Sequence, residues 1–220
     1  MEIKDISKKY QKHEVLKNIG FTVEEGKCIG ILGGNGSGKS TLLSILAGVQ
    51  KADGGSFLFK GEDLFSNAKK RNACVGYVPQ GNALIEELTA YDNLRLWYDS
   101  AKLKNVLSEG VPAMLGVTEF VKVPVNKMSG GMKKRLSLAC SVANDPQILL
   151  LDEPTAALDL VCKERIYNYL KDFKMRGGRI VLVTHDVQEL ELCDKWFIIR
   201  EGELVPYEYD GDIHRLVGKL

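Results

Sequence analysis

No stretch of this chain holds the roughly 18 consecutive apolar residues that a membrane-spanning helix needs, so the sequence provides no span of its own. Charge excess is missing too. Thirty Lys and Arg stand against 29 Asp and Glu, a formal net charge of +1, which argues against a nucleic-acid partner. The first residues, MEIKDISKKY, are charged and alternating and lack the apolar core of a secretion signal. The cysteines, Cys28, Cys74, Cys140, Cys162 and Cys193, are odd in number and nowhere spaced CxxC, which fits neither a disulfide framework nor a zinc site. Most fall in apolar patterns, where free thiols behave as small hydrophobes, and this points to a reducing, cytosolic compartment. Internal repeats, low-complexity tracts and linkers are lacking, and the final GDIHRLVGKL is too short for another domain. The expectation is one domain over residues 1–220, large enough for a well-buried core.

Apolar runs of strand length are present and alternate with helical patterns. CIGILG (Cys28–Gly33) leads into KSTLLSILAG, CVGYVP (Cys74–Pro79) into the middle region, QILLLD (Gln147–Asp152) into LVCKERIYNYLKDFKMRGG, and RIVLVTH (Arg179–His185) into DVQELELC. Continuous apolar strands separated by helices predict a parallel α/β sheet covered on both faces. KWFIIREGELV reads as a hairpin turning at Glu201 and Gly202. The shorter alternating segments EIKDISKKY, NIGFTVEEG and GSFLFKG predict an N-terminal antiparallel β layer. Between about 83 and 144 the strand signal gives way to helical periodicity, read as a helical subdomain inserted in the α/β core.

GGNGSGKST, Gly33–Thr41, fits the phosphate-loop pattern GxxxxGK[ST] between a strand and a helix. Glycines let backbone amides approach phosphates, Lys39 brings charge to the β and γ groups, and the Ser40 hydroxyl suits magnesium. The strand end ILLLDEP supplies the acidic half: Asp152 is assigned to the metal and Glu153 to a general base that polarises water. Gln80 and His185 fall at carboxyl ends of strands, on the edge where open α/β sheets bind ligands. Gln80 is a candidate to sense magnesium or water, and His185 to bond a γ-phosphate. The Tyr10 ring offers a face for stacking adenine. A guanine-reading NKxD is absent, since NKMS at Asn126 has Ser129 in place of the aspartate.

KMSGGMKKRLSLA (Lys127–Ala139) opens a helix on two glycines, each costing about 1 kcal/mol against alanine. Anion binding by the first amides and a flexible joint both account for them.

Tyr10, GGNGSGKST, Gln80, MSGGMKKRL, ILLLDEP, AALD and His185, in that order and through nearly the whole chain, resemble the ATP-binding cassette (ABC) family. The resemblance implies a P-loop NTPase core with a mixed sheet. It implies ATP and Mg2+ as ligands, with nucleotide contacts at Tyr10, Val15, Gly33, Asn35, Gly36, Ser37, Gly38, Lys39, Ser40 and Thr41. Metal binding is implied at Ser40, Gln80 and Asp152, and catalysis at Glu153, His185, Gln80 and Lys39. Ser129, Gly130 and Gly131 would bind the γ-phosphate held by a second cassette, with Asp159 coupling the two subunits. The implied activity is ATP hydrolysis driving transport through a separate integral membrane permease, with the chain peripheral on the cytoplasmic face of the cell membrane.

SGGM departs from the family's usual SGGQ. Ser-x-x-Gln is a capping box, and Met132 cannot return the bond to the serine amide. Within the family, SGGM followed by basic residues resembles the branch of drug, sodium and lipid exporters, so export is expected. Ala156 is a second, minor departure. The rival reading is a soluble ABC ATPase acting on ribosomes or DNA. Elsewhere, Lys69–Arg71 reads as a solvated loop, His13 and His214 as surface residues, and Trp97 and Tyr98 as either core or partner contacts.

Overall fold

The computed structural model describes residues 1–81, 83–212 and 218. The tail that includes His214 lies largely outside the described residues. Strands β1 (Glu2–Tyr10) and β2 (His13–Thr22) form a hairpin that buries Ile3, Ile6, Leu16, Ile19 and Phe21 on one side. Strand β3 (Cys28–Leu32) is buried at every position and runs through the phosphate loop into α1 (Lys39–Ala47). Next come β4 (Gly54–Phe59), β5 (Glu62–Asp63), α2 (Ala68–Cys74) and β6 (Val75–Val78). Helices α3 (Ala90–Arg95), α4 (Ser100–Glu109), α5 (Val111–Met114) and α6 (Gly130–Ser141) follow, with 3-10 turns at Val117–Phe120 and Val125–Lys127. The chain continues through β7 (Ile148–Asp152), α7 (Leu160–Met175), β8 (Arg179–Val183), α8 (Val187–Leu192), β9 (Lys195–Arg200) and β10 (Glu203–Tyr207).

Two sheets result. One is antiparallel, in the order β2-β1-β4-β5; the other runs β10-β9-β3-β8-β7-β6, parallel except for the edge strand β10. The mixed sheet and the N-terminal antiparallel layer agree with the sequence reading. The β9–β10 hairpin turns at Glu201 (φ 51) and Gly202 (φ 83), a pair of left-handed residues that suits a tight hairpin.

Alternate residues of each parallel strand feed opposite layers. Ile29, Ile31, Ile148, Leu150, Val181 and Val183 join α1 and the antiparallel layer. Leu149, Leu151, Ile180 and Leu182 join Leu94, Tyr98, Leu103, Leu115 and Leu136 of the helical stretch, so the helices share one core with the sheet. Tyr98 ties them further, its Oη donating to Ala139 O at 2.8 Å, while Trp97 beside it is 54% exposed.

Local chemistry sets the helix starts. Thr89, Asp99, Ser129 and Asp159 each cap a helix by accepting the amide three residues on. The structure differs from the sequence reading at several places, three of which bear on the site and its surroundings. Lys69–Arg71 lies within α2 instead of a loop, because Asn67 caps the turn through Lys70 N. The strand expected from Cys74 starts at Val75, Cys74 closing α2. The strand expected to end at His185 ends at Val183, leaving His185 in the turn before α8.

Candidate functional site

The phosphate loop is a strand-to-helix turn that only glycine can build. Gly33 has φ 149, and a Cβ there would sit 2.6 Å from Ser37 Oγ and 2.7 Å from Ile199 O. Gly38, which opens α1, has φ 106 and would meet Leu16 Cδ2 at 2.9 Å and Val15 Cγ1 at 3.0 Å. Lys39 folds back into the loop, donating to Gly33 O at 2.7 Å and Gly34 O at 2.9 Å. Burial pushes its pKa down, and the nearby Glu153 and Asp152 carboxylates oppose that shift.

A cavity of about 490 Å3 gathers Tyr10, Val15, Asn35 to Thr41, Gln80, Asp152 and Glu153. Residues from β1, β2, α1 and β7 and from the loops that follow β3, β6 and β7 thus meet at one edge of the sheet. Asp152 is 2% exposed; burial raises its pKa, while a hydrogen bond from Ser40 and the Lys134 and Lys39 charges restrain the rise. Tyr10 is 44% exposed, its hydroxyl bonded to Gln50 Oε1, and Lys8 Nζ lies 5.6 Å from the ring centroid.

Glu153 leaves the strand with φ 49 while its amide donates to Val183 O at 2.9 Å. That turn brings its carboxylate between two side chains. Gln80 Nε2 donates to Oε2 at 3.1 Å, and His185 Nε2 lies 3.8 Å from Oε1. His185 lines an adjoining cavity of about 220 Å3 that also includes Glu153.

Ser129, Gly130, Gly131 and Asp159 lie outside the phosphate-loop cavity. They sit together instead: a Cβ on Gly131 would approach Cys162 Sγ to 2.8 Å and Asp159 Oδ2 to 3.8 Å. Asp159 accepts Cys162 N at 2.9 Å, and this backbone hydrogen bond lowers its pKa. Ser129 Oγ accepts Met132 N at 3.2 Å, so half of the capping box is made, and the Met132 side chain packs against the core in place of a return bond.

Two residues with no role in the sequence reading stand under this site. Lys134, 7% exposed, donates to Pro79 O, Gln80 O and Asp152 O. Its neighbours are also engaged, Lys133 with Glu86 at 3.1 Å and Arg135 with Leu115 O at 2.9 Å. Lys134 lies four residues before the buried Leu138, and that helical spacing was the available signal. Glu189, 2% exposed, accepts the hydroxyl of Thr184, and burial raises its pKa to about 7.

The ABC transporter family pattern matches residues 16–156. The chain belongs to the ABC transporter family. It is an ATP-binding cassette, an ATPase of the transporter type. It is 35% identical over 223 residues to the Nod factor export ATP-binding protein I of Sinorhizobium fredii, covering 99% of this chain and 64% of that protein. It is 32% identical over 211 residues to the linearmycin resistance ATP-binding protein LnrL of Bacillus subtilis, covering 93% and 68%. Among solved structures, the dimeric post-hydrolysis state of the cassette MJ0796 bound to ADP and Pi matches with a TM-score of 0.81 and 30% identity, over 92% of this chain and 95% of that one. An ATP-binding subunit of an ABC transporter matches with a TM-score of 0.84 and 26% identity, over 99% and 92%.

Proposed function

We propose that this cassette is the ATP-hydrolysing subunit of an exporter. It pairs with a second cassette, a copy of itself or a similar chain, around two ATP molecules and drives a separate permease from the inner face of the cell membrane. The observation that carries the reading is the Glu153 carboxylate held between Gln80 and His185 beside the phosphate loop.

In this reading the loop amides and Lys39 hold the phosphates, Lys39 exchanging its Gly33 and Gly34 carbonyls for phosphate oxygens. Glu153 orients and deprotonates the attacking water, with Gln80 fixing the carboxylate and His185 reaching the γ-phosphate. Ser40 and the buried Asp152 fit Mg2+ as hard oxygen donors, and among the described residues no cluster of three or more His, Cys, Asp or Glu surrounds a metal position. That suits an ion that completes its shell with water and phosphate. When bound it would neutralise charge on the β and γ oxygens.

Pairing is supported by the first turn of α6, where Ser129 and Gly130 are exposed and helix-start amides favour an anion. The neighbouring Asp159, Leu160 and Val161 are exposed as well. A separate permease is supported by the described helices, none of which is long and apolar enough to cross a membrane. It is also supported by exposed Ile85, Tyr91, Leu96 and Trp97 soon after Gln80. Export is supported by the relatives' names.

Glu153→Gln tests the reading. The variant should bind ATP, accumulate as an ATP-dependent dimer and lose turnover by on the order of a hundredfold or more. Normal hydrolysis would remove Glu153 from the role. Pull-down in mild detergent should recover a multi-spanning membrane protein; ribosomal or nucleic-acid material without one would favour the soluble alternative.

A further inference from the structure

Lys134 is buried, yet packing alone does not call for a lysine. One turn further along its face of α6 stand the buried Ser137 and Leu138, and an aliphatic side chain at 134 would pack beside Leu138 without losing water from a charge. What the lysine adds is three donors aimed at three backbone carbonyls: Pro79 O at 2.9 Å, Gln80 O at 3.4 Å and Asp152 O at 3.4 Å. Two belong to the turn that carries Gln80. The third belongs to the residue before Glu153. The side chains of Gln80 and Glu153 are themselves bonded at 3.1 Å, so one ammonium grips the backbone beneath both halves of that pair.

The same helix opens five residues earlier at Ser129, whose hydroxyl caps it. Five residues of α-helix rise about 7.5 Å, so the cap and the ammonium lie within two turns of one rigid element. We propose that Lys134 is a positioning residue that registers Gln80, and through its side chain the Glu153 carboxylate, to helix α6, so that a shift of α6 on contact with a second cassette moves the pair. The link from α6 to a second cassette rests on the two-cassette reading above; the action of Lys134 through Gln80 does not.

The test is a double-mutant cycle on the full chain with Lys134→Met, Gln80→Ala and both together, reading kcat, KM for ATP and thermal unfolding. Acting through Gln80, Lys134→Met should lower kcat by about tenfold with KM within about twofold, and the double variant should be no slower than Gln80→Ala alone. Losses that multiply would overturn the proposal. Added to Glu153→Gln, Lys134→Met should still form the ATP-dependent dimer; its loss would mean that Lys134 only keeps α6 in shape, and would also overturn it. Should Lys134→Met fail to fold, Lys134→Arg, which keeps charge and donors in a different geometry, enters the cycle under the same criterion. Retained turnover in Glu153→Gln alone would strike the functional reading, an outcome separate from additivity in the cycle.

Discussion

Gln80 and Glu153, 73 residues apart in the chain, meet through a 3.1 Å hydrogen bond from Nε2 to Oε2. The parallel pairing of β6 with β7 makes the meeting possible, because it places both strand exits side by side on one edge of the sheet. A carboxylate held this way keeps one oxygen committed to Gln80 and the other toward His185.

Removing the Gln80 amide should therefore loosen Glu153 without emptying the phosphate loop. For Gln80→Ala the expected outcome is a kcat lower by roughly ten- to a hundredfold with KM for ATP little changed. Steady-state phosphate release checks it, and an effect confined to KM would contradict it.

Gly38→Ala should harm both stability and nucleotide binding. The added methyl faces Leu16 Cδ2 at 2.9 Å and Val15 Cγ1 at 3.0 Å on a backbone with φ 106. A loss of about 1–3 kcal/mol is expected from the strained conformation, measured by urea unfolding, together with loss of binding in a fluorescent-nucleotide titration.

Adjacent residues Trp97 and Tyr98 should behave oppositely. Tyr98→Phe removes the 2.8 Å bond to Ala139 O inside the core and should cost about 1–2 kcal/mol. Trp97→Ser changes a 54% exposed side chain and should stay within about 0.5 kcal/mol. Its expected effect is weaker permease capture in the detergent pull-down.

Stability should fall with rising pH through Glu189. The folded chain keeps this proton to about pH 7, whereas the ordinary glutamate value is 4.5, burial being the main cause. Between those values the folded state binds more protons, so the contribution is full below the lower value and is lost as pH rises through the higher. The loss is on the order of 3 kcal/mol. Glu189→Gln, which mimics the neutral acid, should flatten this part of the profile; urea midpoints for both proteins at about pH 5 and about pH 8 provide the check.

The phosphate loop, the Asp152 and Glu153 strand end and the Ser129 cap were legible because their chemistry is local: a glycine pattern, an apolar run, a capping residue. Their meeting was legible only as a shared sheet edge. That Gln80 and His185 both flank one carboxylate depends on a left-handed turn at Glu153, which no residue type there announces. Glu189, the split between Trp97 and Tyr98 and, beyond its spacing from Leu138, Lys134 were hidden for another reason. Their burial is decided by what packs over them from distant segments, and charged runs such as Lys133–Arg135 look solvated until Glu86, Leu115 and Gln80 are in place.

The left-handed backbone at Glu153 is one that an L side chain enters at a cost of roughly 1–2 kcal/mol, while glycine enters it freely. A chain selected only for durability would favour glycine at this point. The cassette instead keeps a bulky carboxylate there, and under the proposed role of Glu153 it carries a small standing debt in stability in exchange for a base at that point.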